Sequence, residues 1–417
     1  MEFRALEISD AARAGCAERI GMARLAKLAF DGHDLRPKWA ELIAKLLDGT
    51  ANPGEGIDLS LIAQLLGDKQ AGLAIQHEVL LSHRLFRSPC ASRQPRLRVL
   101  ALAAATDMGS NTPIEFLLEE SGIELMMLYV IGEAELPAPL PEHDVAIVIA
   151  SDSEDCREAL AKVDAAVPQW PRPLLNPPRL VSSLDRDKLH RLLDGIDGLE
   201  IPATLVVTRE RLFDVAQSPQ ELSDIAAGLA FPIIVRPRGS HAGSGLARID
   251  DAPALADYLG GREEEMFFVS RFVDYSSADR LFRKYRVAFV DGRPYACHMA
   301  IADRWDIWYL NAGMSHSVEK RVEEETWMRT FDVNFGRRHQ AALTAIADRV
   351  GLEYFTVDCA ETGDGALLVF EADNTAVVHN MDHANVFPYK APQMRKIFDA
   401  FAAMLVRHAR ARQERAA

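Results

Sequence analysis

The chain has 417 residues, of which 48% are hydrophobic, so it is long enough to fill two or three domain cores. Its 47 lysines and arginines against 61 aspartates and glutamates give a formal net charge of −14, which disfavours nucleic acid or an anionic membrane as a partner. No stretch is apolar over the ~18 residues that a membrane span needs, so we expect a cytoplasmic protein. The five cysteines are scattered without a CxxC pair and indicate neither disulfides nor a zinc site.

Residues 1–92 predict an N-terminal α-helical domain. Three segments have apolar residues at helical spacing, and breaks such as DGHDLRP and DGTANPGEG separate them. The predicted helical segments are 11–30, 37–49 and 59–86. We expect this domain to be an appendage with a structural or dimerising role, and a homodimer is therefore one possible assembly. A binding site for another partner is the alternative.

Between residues 93 and 180 the pattern changes to alternating strands and helices. RLRVLALAAA, IELMMLYVIG and HDVAIVIASDS predict three strands, while TPIEFLLEESG and CREALAKVDAAV predict helices. These elements form a small open parallel sheet. Ligands of such sheets bind beyond the carboxyl ends of the strands, here around residues 106–111 and 151–153.

The segment FPIIVRPRGSHAGSGLARID predicts two strands joined by a loop rich in Gly and Ser. Such a loop can approach a phosphate closely and point backbone N–H groups at it, and Arg236 adds a fixed cation. It is not a Walker loop, because GKS or GKT is absent, and it lacks the helix of a dinucleotide fingerprint. A surface hairpin without a ligand is the alternative. The loop contains Gly239, Ser240, His241, Gly243, Ser244 and Gly245.

The segment LEYFTVDCAETGDGALLVFEADN predicts a hairpin that places carboxylates at the strand ends. Pairing of its strands would bring Asp358 close to Glu371, and strand alternation puts Glu371 and Asp373 on one face. Oxygen ligands without His or Cys suit Mg²⁺ or Mn²⁺, so we expect these three carboxylates to converge on a metal. A solvated acidic hairpin is the alternative explanation.

These motifs together resemble the ATP-grasp superfamily over most of the chain. The resemblance also includes NPPRLVSSLDRDKLHRLLDGIDGLEIPATLVV, FFVSRFVDY and YRVAFVDGRPYACHMAI. It implies a mixed α/β and α+β fold in which the nucleotide lies between two α+β subdomains of an ATP-grasp domain at 181–410. The sheet at 93–180 would be the pre-ATP-grasp subdomain. ATP with Mg²⁺ or Mn²⁺ would be the cofactors.

The resemblance also assigns roles to single residues. Lys188 and Arg236 would contact the ATP phosphates, with Arg236 in a place where the family usually has Lys. Arg286 would be the basic residue that reaches the active site. The family's metal pattern falls on Asp358, Glu371 and Asp373, although Asp373 replaces an Asn. The adenine edge would pair with the backbone of Ser270, Arg271, Phe272 and Val273.

The implied activity is ATP-dependent ligation of a small-molecule or peptide carboxylate to an amine or similar nucleophile through an acylphosphate. No persuasive motif for a covalent protein nucleophile contradicts it. Two alternatives remain, namely a regulatory or scaffold protein with a degenerate nucleotide site, and a small-molecule kinase of the same fold. Because the expected nucleotide contacts all follow residue 180, we expect residues 1–90 to be dispensable for ATP binding.

Overall fold

The structure is a computed structural model that describes residues 15–219, 222–240 and 243–416. Within these ranges, no helix is both long enough and apolar enough to cross a membrane. The elements form three sheets with helices packed on them, which confirms the expected mixture of α/β and α+β architecture.

From residue 15 onward, the described N-terminal part forms four helices and two short strands. The first predicted helix starts only at Met22, and residues 11–14 of that prediction lie outside the described residues. The last predicted helix is divided at Gly67, whose φ is +92°, and at Asp68, which caps the next helix by accepting a hydrogen bond from the Ala71 N–H. The elements are β1 (Ala17–Glu18), α1 (Met22–Phe30), α2 (Arg36–Leu47), α3 (Pro53–Leu65), α4 (Lys69–Leu80) and β2 (Leu85–Arg87).

The first sheet combines these two strands with the predicted α/β unit. Its order is β1-β2-β4-β3-β5-β6, and all neighbours are parallel except β2 and β4. Phe86 of β2 is completely buried in a core that includes both parts of the chain. One core therefore crosses the predicted boundary at residue 92. The added elements are β3 (Arg98–Ala104), α5 (Ile114–Leu117), β4 (Glu124–Val130), β5 (Val145–Val148), α6 (Arg157–Ala166), β6 (Leu174–Leu175) and α7 (Pro178–Val181).

The second sheet is small and antiparallel, with the order β10-β9-β11-β8 and a core of its own. Its strands β9 and β10 are the predicted hairpin on either side of the Gly-rich loop. The elements from here on are α8 (Arg186–Leu193), β7 (Leu199–Glu200), β8 (Leu205–Thr208), α9 (Arg209–Gln217), α10 (Leu222–Ile225), β9 (Ile233–Pro237), β10 (Ala247–Ile249), α11 (Ala252–Gly260) and β11 (Met266–Arg271).

The third sheet has the order β13-β12-β14-β15-β7 and carries the predicted acidic hairpin as β14 and β15. Its four long strands are antiparallel, and apolar side chains such as Phe289 and Phe355 stack across them with ring centroids 4.6 Å apart. The elements are β12 (Phe282–Val290), β13 (Arg293–Ala302), α12 (Val318–Thr330), α13 (Phe335–Arg338), α14 (Gln340–Val350), β14 (Tyr354–Glu361), β15 (Leu367–Asp373) and α15 (Lys390–Ala416).

Candidate active site

Four polar side chains form a row across the third sheet. His298 of β13 is paired with Arg286 of β12, Arg286 with Asp358 of β14, and Asp358 with Glu371 of β15. Directly opposed residues on antiparallel strands point to the same face of a sheet. The predicted pairing of Asp358 with Glu371 is therefore correct, and the row extends it by two further residues.

Two irregularities in strand pairing flank this row. Cys297 is an extra residue on β13 between the partners of Arg286 and Val287, and Phe370 is an extra residue on β15 between the partners of Asp358 and Cys359. A bulge of this kind bends a strand and redirects its side chains, and bulges occur frequently beside active sites. The sheet is thus distorted at the place where its charged side chains are gathered.

Asp358 is almost completely buried and is bound by two cations. Arg286 donates from Nε to Oδ1 at 2.7 Å and from Nη2 to Oδ2 at 3.0 Å, and Lys284 Nζ lies 2.8 Å from Oδ2. Burial alone raises the pKa of the Asp358 carboxyl, but the two cations outweigh burial and hold this pKa well below its usual range. Asp358 is therefore ionised in the folded protein.

Glu371 is the point at which cations from different elements meet. Arg186, at the start of α8, forms an ion pair with it, and Lys284 and Arg236 also act on its charge. Burial raises the pKa of Glu371, but Arg186 and the other cations lower it further, so the net shift is downward. Because Arg236 belongs to β9 and Glu371 to β15, the second and third sheets face each other across this group.

Arg236 anchors the start of the Gly-rich loop. Its Nε donates to Ser240 Oγ at 3.1 Å, and its Nη2 donates to the Ser240 carbonyl oxygen. Burial, followed by the charge of Arg186, lowers the pKa of Arg236 to about 10, so the side chain stays cationic near neutral pH. At the far end of the loop, Tyr258 Oη donates to the Gly245 carbonyl at 2.6 Å.

The middle of the loop is exposed at Gly243 and Ser244, whereas the predicted ligand His241 lies outside the described residues. Gly239, Gly243 and Gly245 all have positive φ values, of +77°, +74° and +66°. These conformations favour glycine, so the glycines determine the path of the loop. Backbone N–H groups of such a loop are suited to an anion.

Asp373 is not gathered with the other two carboxylates. Its Oδ1 accepts hydrogen bonds from the N–H of Thr375 at 2.6 Å and from Thr375 Oγ1 at 2.8 Å. Within the part of the chain that the structure describes, no three His, Cys, Asp or Glu side chains are placed to hold one metal ion. The expected convergence of three carboxylates is thus reduced to two, Asp358 and Glu371.

Lys188 lies on the exposed side of α8 and donates to the Ser182 carbonyl oxygen at 2.9 Å. The structure does not bring it to the row, and Arg186, two residues earlier on the same helix, contacts Glu371 instead. Arg186 and Lys284 are therefore members of this charged group that the sequence interpretation did not identify. Lys284 had a detectable signal, because it lies two positions before Arg286 on a strand and so shares its face.

The predicted adenine segment connects the second sheet to the third. Ser270 and Arg271 end β11, and the N–H of Phe272 donates to the Pro232 carbonyl at 3.0 Å. The Phe272 ring lies between the Arg248 guanidinium, 4.3 Å from its centroid, and Trp305, whose centroid is 5.8 Å away. Val273 packs in a small apolar cluster with Phe370, next to Glu371. An apolar surface therefore adjoins the cationic group.

The first sheet reaches the end of β15 with the carboxyl end of β5. Asn374, directly after β15, donates to the Ala150 carbonyl at 2.9 Å, and its own carbonyl accepts from Thr112 Oγ1 at 2.8 Å. Burial, together with the charges of Asp373 and Asp185, raises the pKa of Asp152 to about 7. The edge of the first sheet thus lies beside the end of β15 that carries Glu371.

Comparison with solved structures gives similar folds at low identity. A RimK domain protein ATP-grasp from Sphaerobacter thermophilus DSM 20745 is 18% identical, with 74% of this chain and 99% of that chain covered and a TM-score of 0.44. The D-alanine–D-alanine ligase from Bacillus anthracis complexed with ATP is 14% identical, with 76% of this chain and 99% of that chain covered and a TM-score of 0.46. The ATP-grasp ligase PsnB complexed with a precursor peptide and AMPPNP is 13% identical, with 75% of this chain and 99% of that chain covered and a TM-score of 0.43. No protein-family model and no curated protein matches the chain.

The order and pairing of the strands agree with the fold that the sequence resemblance implies. A four-stranded antiparallel sheet with a Gly-rich hairpin faces a larger sheet whose hairpin carries Asp358 and Glu371, and a parallel α/β unit precedes both. The fold that the sequence resemblance implies is therefore confirmed.

Proposed function

We propose that the protein is an ATP-dependent ligase that joins a carboxylate to an amine or similar nucleophile and releases ADP and phosphate. The observation that supports this proposal is the cationic group at the paired residues Asp358 and Glu371, in which Arg186 pairs with Glu371, Lys284 pairs with Asp358, and Arg236 acts on the charge of Glu371. Arginine and lysine side chains together with an open Gly-rich loop suit the oxygens of a triphosphate. In phosphoryl transfer, positioning and charge neutralisation supply most of the catalysis.

The residues also fit a divalent metal ion in their chemistry. Mg²⁺ is commonly held by one or two carboxylates together with nucleotide phosphates, and Mn²⁺ accepts the same oxygen ligands. In our proposal, Asp358 and Glu371 would be the protein ligands, and Asp373 would support them through the turn at Thr375. The metal when bound would supply neutralisation of phosphate charge.

The chain's own residues would act in two steps. First, an oxygen of the substrate carboxylate attacks the γ-phosphorus, the bond from phosphorus to the β,γ-bridging oxygen breaks, and ADP leaves while Arg236 and the loop hold the phosphates. Second, the nucleophile attacks the acyl carbon of the acylphosphate, the carbon–oxygen bond to phosphate breaks, and the proton of the nucleophile passes to water. Arg286 would stabilise the oxygen that becomes negative in the second step.

The test is a screen of amino acids and short peptides for ADP release that depends on a second substrate. We expect ADP and phosphate in equal amounts, with Arg236→Ala much reduced and Arg293→Ala, a mostly exposed arginine of β13, unchanged as the matched control. Formation of AMP and pyrophosphate would contradict the acylphosphate route. A phosphorylated product without phosphate release would favour the kinase, and nucleotide binding without turnover would favour the regulatory protein.

A further inference from the structure

Lys284 and Arg286 together cover both oxygens of Asp358. Lys284 Nζ and Arg286 Nη2 share Oδ2, at 2.8 and 3.0 Å, while Arg286 Nε takes Oδ1 at 2.7 Å. The Asp358 side chain is only 3% exposed, so no third group reaches it from solvent. A metal ion can bind Asp358 only if one of these cations leaves.

The two cations are held with unequal strength. Arg286 makes the two bonds to Asp358 with a planar fork and adds a third, from Nη1 to the Val377 carbonyl at 3.3 Å. Lys284 makes one ion pair, and its ammonium lies 5.9 Å from the centroid of the Phe370 ring. A lysine on a flexible stem is a mobile point charge, whereas a bidentate arginine is fixed in geometry. Lys284 is therefore the cation that can be exchanged.

The charges around the row also disfavour binding of a divalent cation without a nucleotide. Arg186, Lys284 and Arg286 pair with Asp358 or Glu371, and Arg236 also acts on the charge of Glu371, so four cations face these two carboxylates. Like charges a few ångströms apart repel strongly in a buried site, so this group disfavours a free divalent cation and favours an anion. A triphosphate that carries its own metal reverses that balance.

We propose that Lys284 occupies the metal position on Asp358 Oδ2 until nucleotide binds, and that its ammonium then moves to a triphosphate oxygen while the divalent cation takes its place. This inference rests on the proposed function, because it requires a nucleoside triphosphate in the cleft. It assigns Lys284 a contact with the phosphates, and it makes metal binding dependent on nucleotide.

The experiment measures Mn²⁺ binding by electron paramagnetic resonance of the full-length protein, with and without a non-hydrolysable ATP analogue. We expect wild-type protein to bind little Mn²⁺ alone and to bind it well with the analogue. Lys284→Met should bind Mn²⁺ alone at least ~10-fold more tightly than wild type, because one charge has been removed beside the ion. The ATP analogue increases the affinity for Mn²⁺, and by linkage Mn²⁺ increases the affinity for the analogue by the same factor. That factor should be smaller in Lys284→Met than in wild type.

Two variants control for charge and for folding. Lys284→Arg keeps the cation and should resemble wild type with Mn²⁺ alone. Lys45→Met removes a lysine that forms ion pairs on the helical part of the chain, with Glu41 and Glu55, and it should leave Mn²⁺ binding unchanged. Circular dichroism checks that each variant is folded.

Equal Mn²⁺ binding by wild type and Lys284→Met in the absence of nucleotide would overturn the inference, as would tight binding of Mn²⁺ alone by wild type. The proposed function fails separately. If Lys284→Met gains Mn²⁺ affinity but neither protein binds the ATP analogue, competition between Lys284 and metal is supported and the nucleotide site is refuted.

Discussion

Glu371 and Asp373 lie two positions apart on β15, yet their carboxylates have different partners. Glu371 is paired with Arg186 from another element, whereas Asp373 closes the turn at Thr375 with two hydrogen bonds to its Oδ1. Glu371 contributes a negative charge to the cationic group, whereas Asp373 contributes a hydrogen-bond acceptor to the turn. An amide can replace the acceptor but not the charge.

Glu371→Gln is therefore expected to lower second-substrate-dependent ADP release by roughly 10²–10³-fold, because loss of one preorganised charge in an active site has an effect of this size. Asp373→Asn should keep turnover within a few-fold of wild type, since its amide oxygen can accept both bonds from Thr375. The measurement is the rate of ADP release at saturating ATP, with thermal unfolding as the check on folding. Greater damage from Asp373→Asn than from Glu371→Gln would show that Asp373 is the main ligand.

Strand spacing predicts shared faces of the candidate site better than positions on a helix do. Asp358, Glu371, Arg236 and Arg286, for which the sequence predicts contacts with metal, phosphate or substrate, lie in one charged group, because strand spacing fixes which side chains share a face. Their roles stay predictions. The resemblance assigns a phosphate contact to Lys188, but Arg186, which is also a basic residue in the first turn of α8, pairs with Glu371. Which of them faces the cleft depends on how the helix packs against β15, and the sequence does not encode that rotation locally.

At the level of elements, the two hairpins of the site were predictable and their irregularities were not. Turn residues and apolar alternation predict the strands on both sides of residues 239–245 and 363–365. The extra residues Cys297 and Phe370 depend on pairing between strands, which only the assembled sheet determines. The conformation of the Gly-rich loop, by contrast, follows from its glycines at positive φ, which the sequence shows directly.

Gly245 should be the least replaceable glycine of that loop. An added Cβ would lie 2.6 Å from Pro237 Cδ, and the residue has a φ of +66°. At Gly239 the φ is +77° but nothing lies within 4 Å of an added Cβ, so alanine there meets only the backbone cost of ~1 kcal/mol. We expect Gly245→Ala to weaken binding of a non-hydrolysable ATP analogue by ~10-fold or more, and Gly239→Ala to weaken it less. Calorimetric titration distinguishes them, and equal affinities would show that the loop does not touch the nucleotide.

Asp58 gives the contact between α3 and the start of α1 a dependence on pH. It is fully buried and accepts the N–H groups of Ile20 at 2.6 Å and Gly21 at 3.1 Å. Burial, against the opposing effect of these bonds, raises the pKa of Asp58 to about 6. The folded protein therefore keeps this proton up to about pH 6, whereas the unfolded chain releases it near pH ~3.9.

Stability should accordingly fall as the pH rises between these two values and should not change further above them. Asp58→Asn cannot ionise, so the unfolding free energy of wild type relative to this variant should decrease by about 2–3 kcal/mol from about pH 4 to pH 7. Urea unfolding of both proteins at the two pH values measures it. A difference that stays constant with pH would mean that Asp58 titrates with an ordinary pKa.

At the scale of the whole molecule, the N-terminal helical part is joined to the rest of the chain by a shared sheet, which its sequence does not suggest. The helical part was expected to be an appendage, but β1 and β2 extend the first sheet, and that sheet is bonded to the turn after β15 through Thr112, Ala150 and Asn374. Strands of two and three residues have too little pattern to be recognised from sequence, and their pairing is decided by long-range contacts. The helical part thus connects to the candidate site through a shared sheet.

Removal of residues 1–92 should therefore prevent folding rather than leave a nucleotide-binding protein, which reverses the sequence-based expectation. The deletion would expose the edge of β4 and the pocket that Phe86 fills, and an unpaired apolar edge promotes aggregation. In the full-length chain, Phe86→Ala should lower the unfolding free energy by roughly 3–5 kcal/mol. Leu81→Ala, at a side chain that is 68% exposed, should change it by less than ~0.5 kcal/mol and serves as the control. A monomeric truncated protein with native circular dichroism and unchanged affinity for the ATP analogue would show that the ATP-grasp part folds without β2.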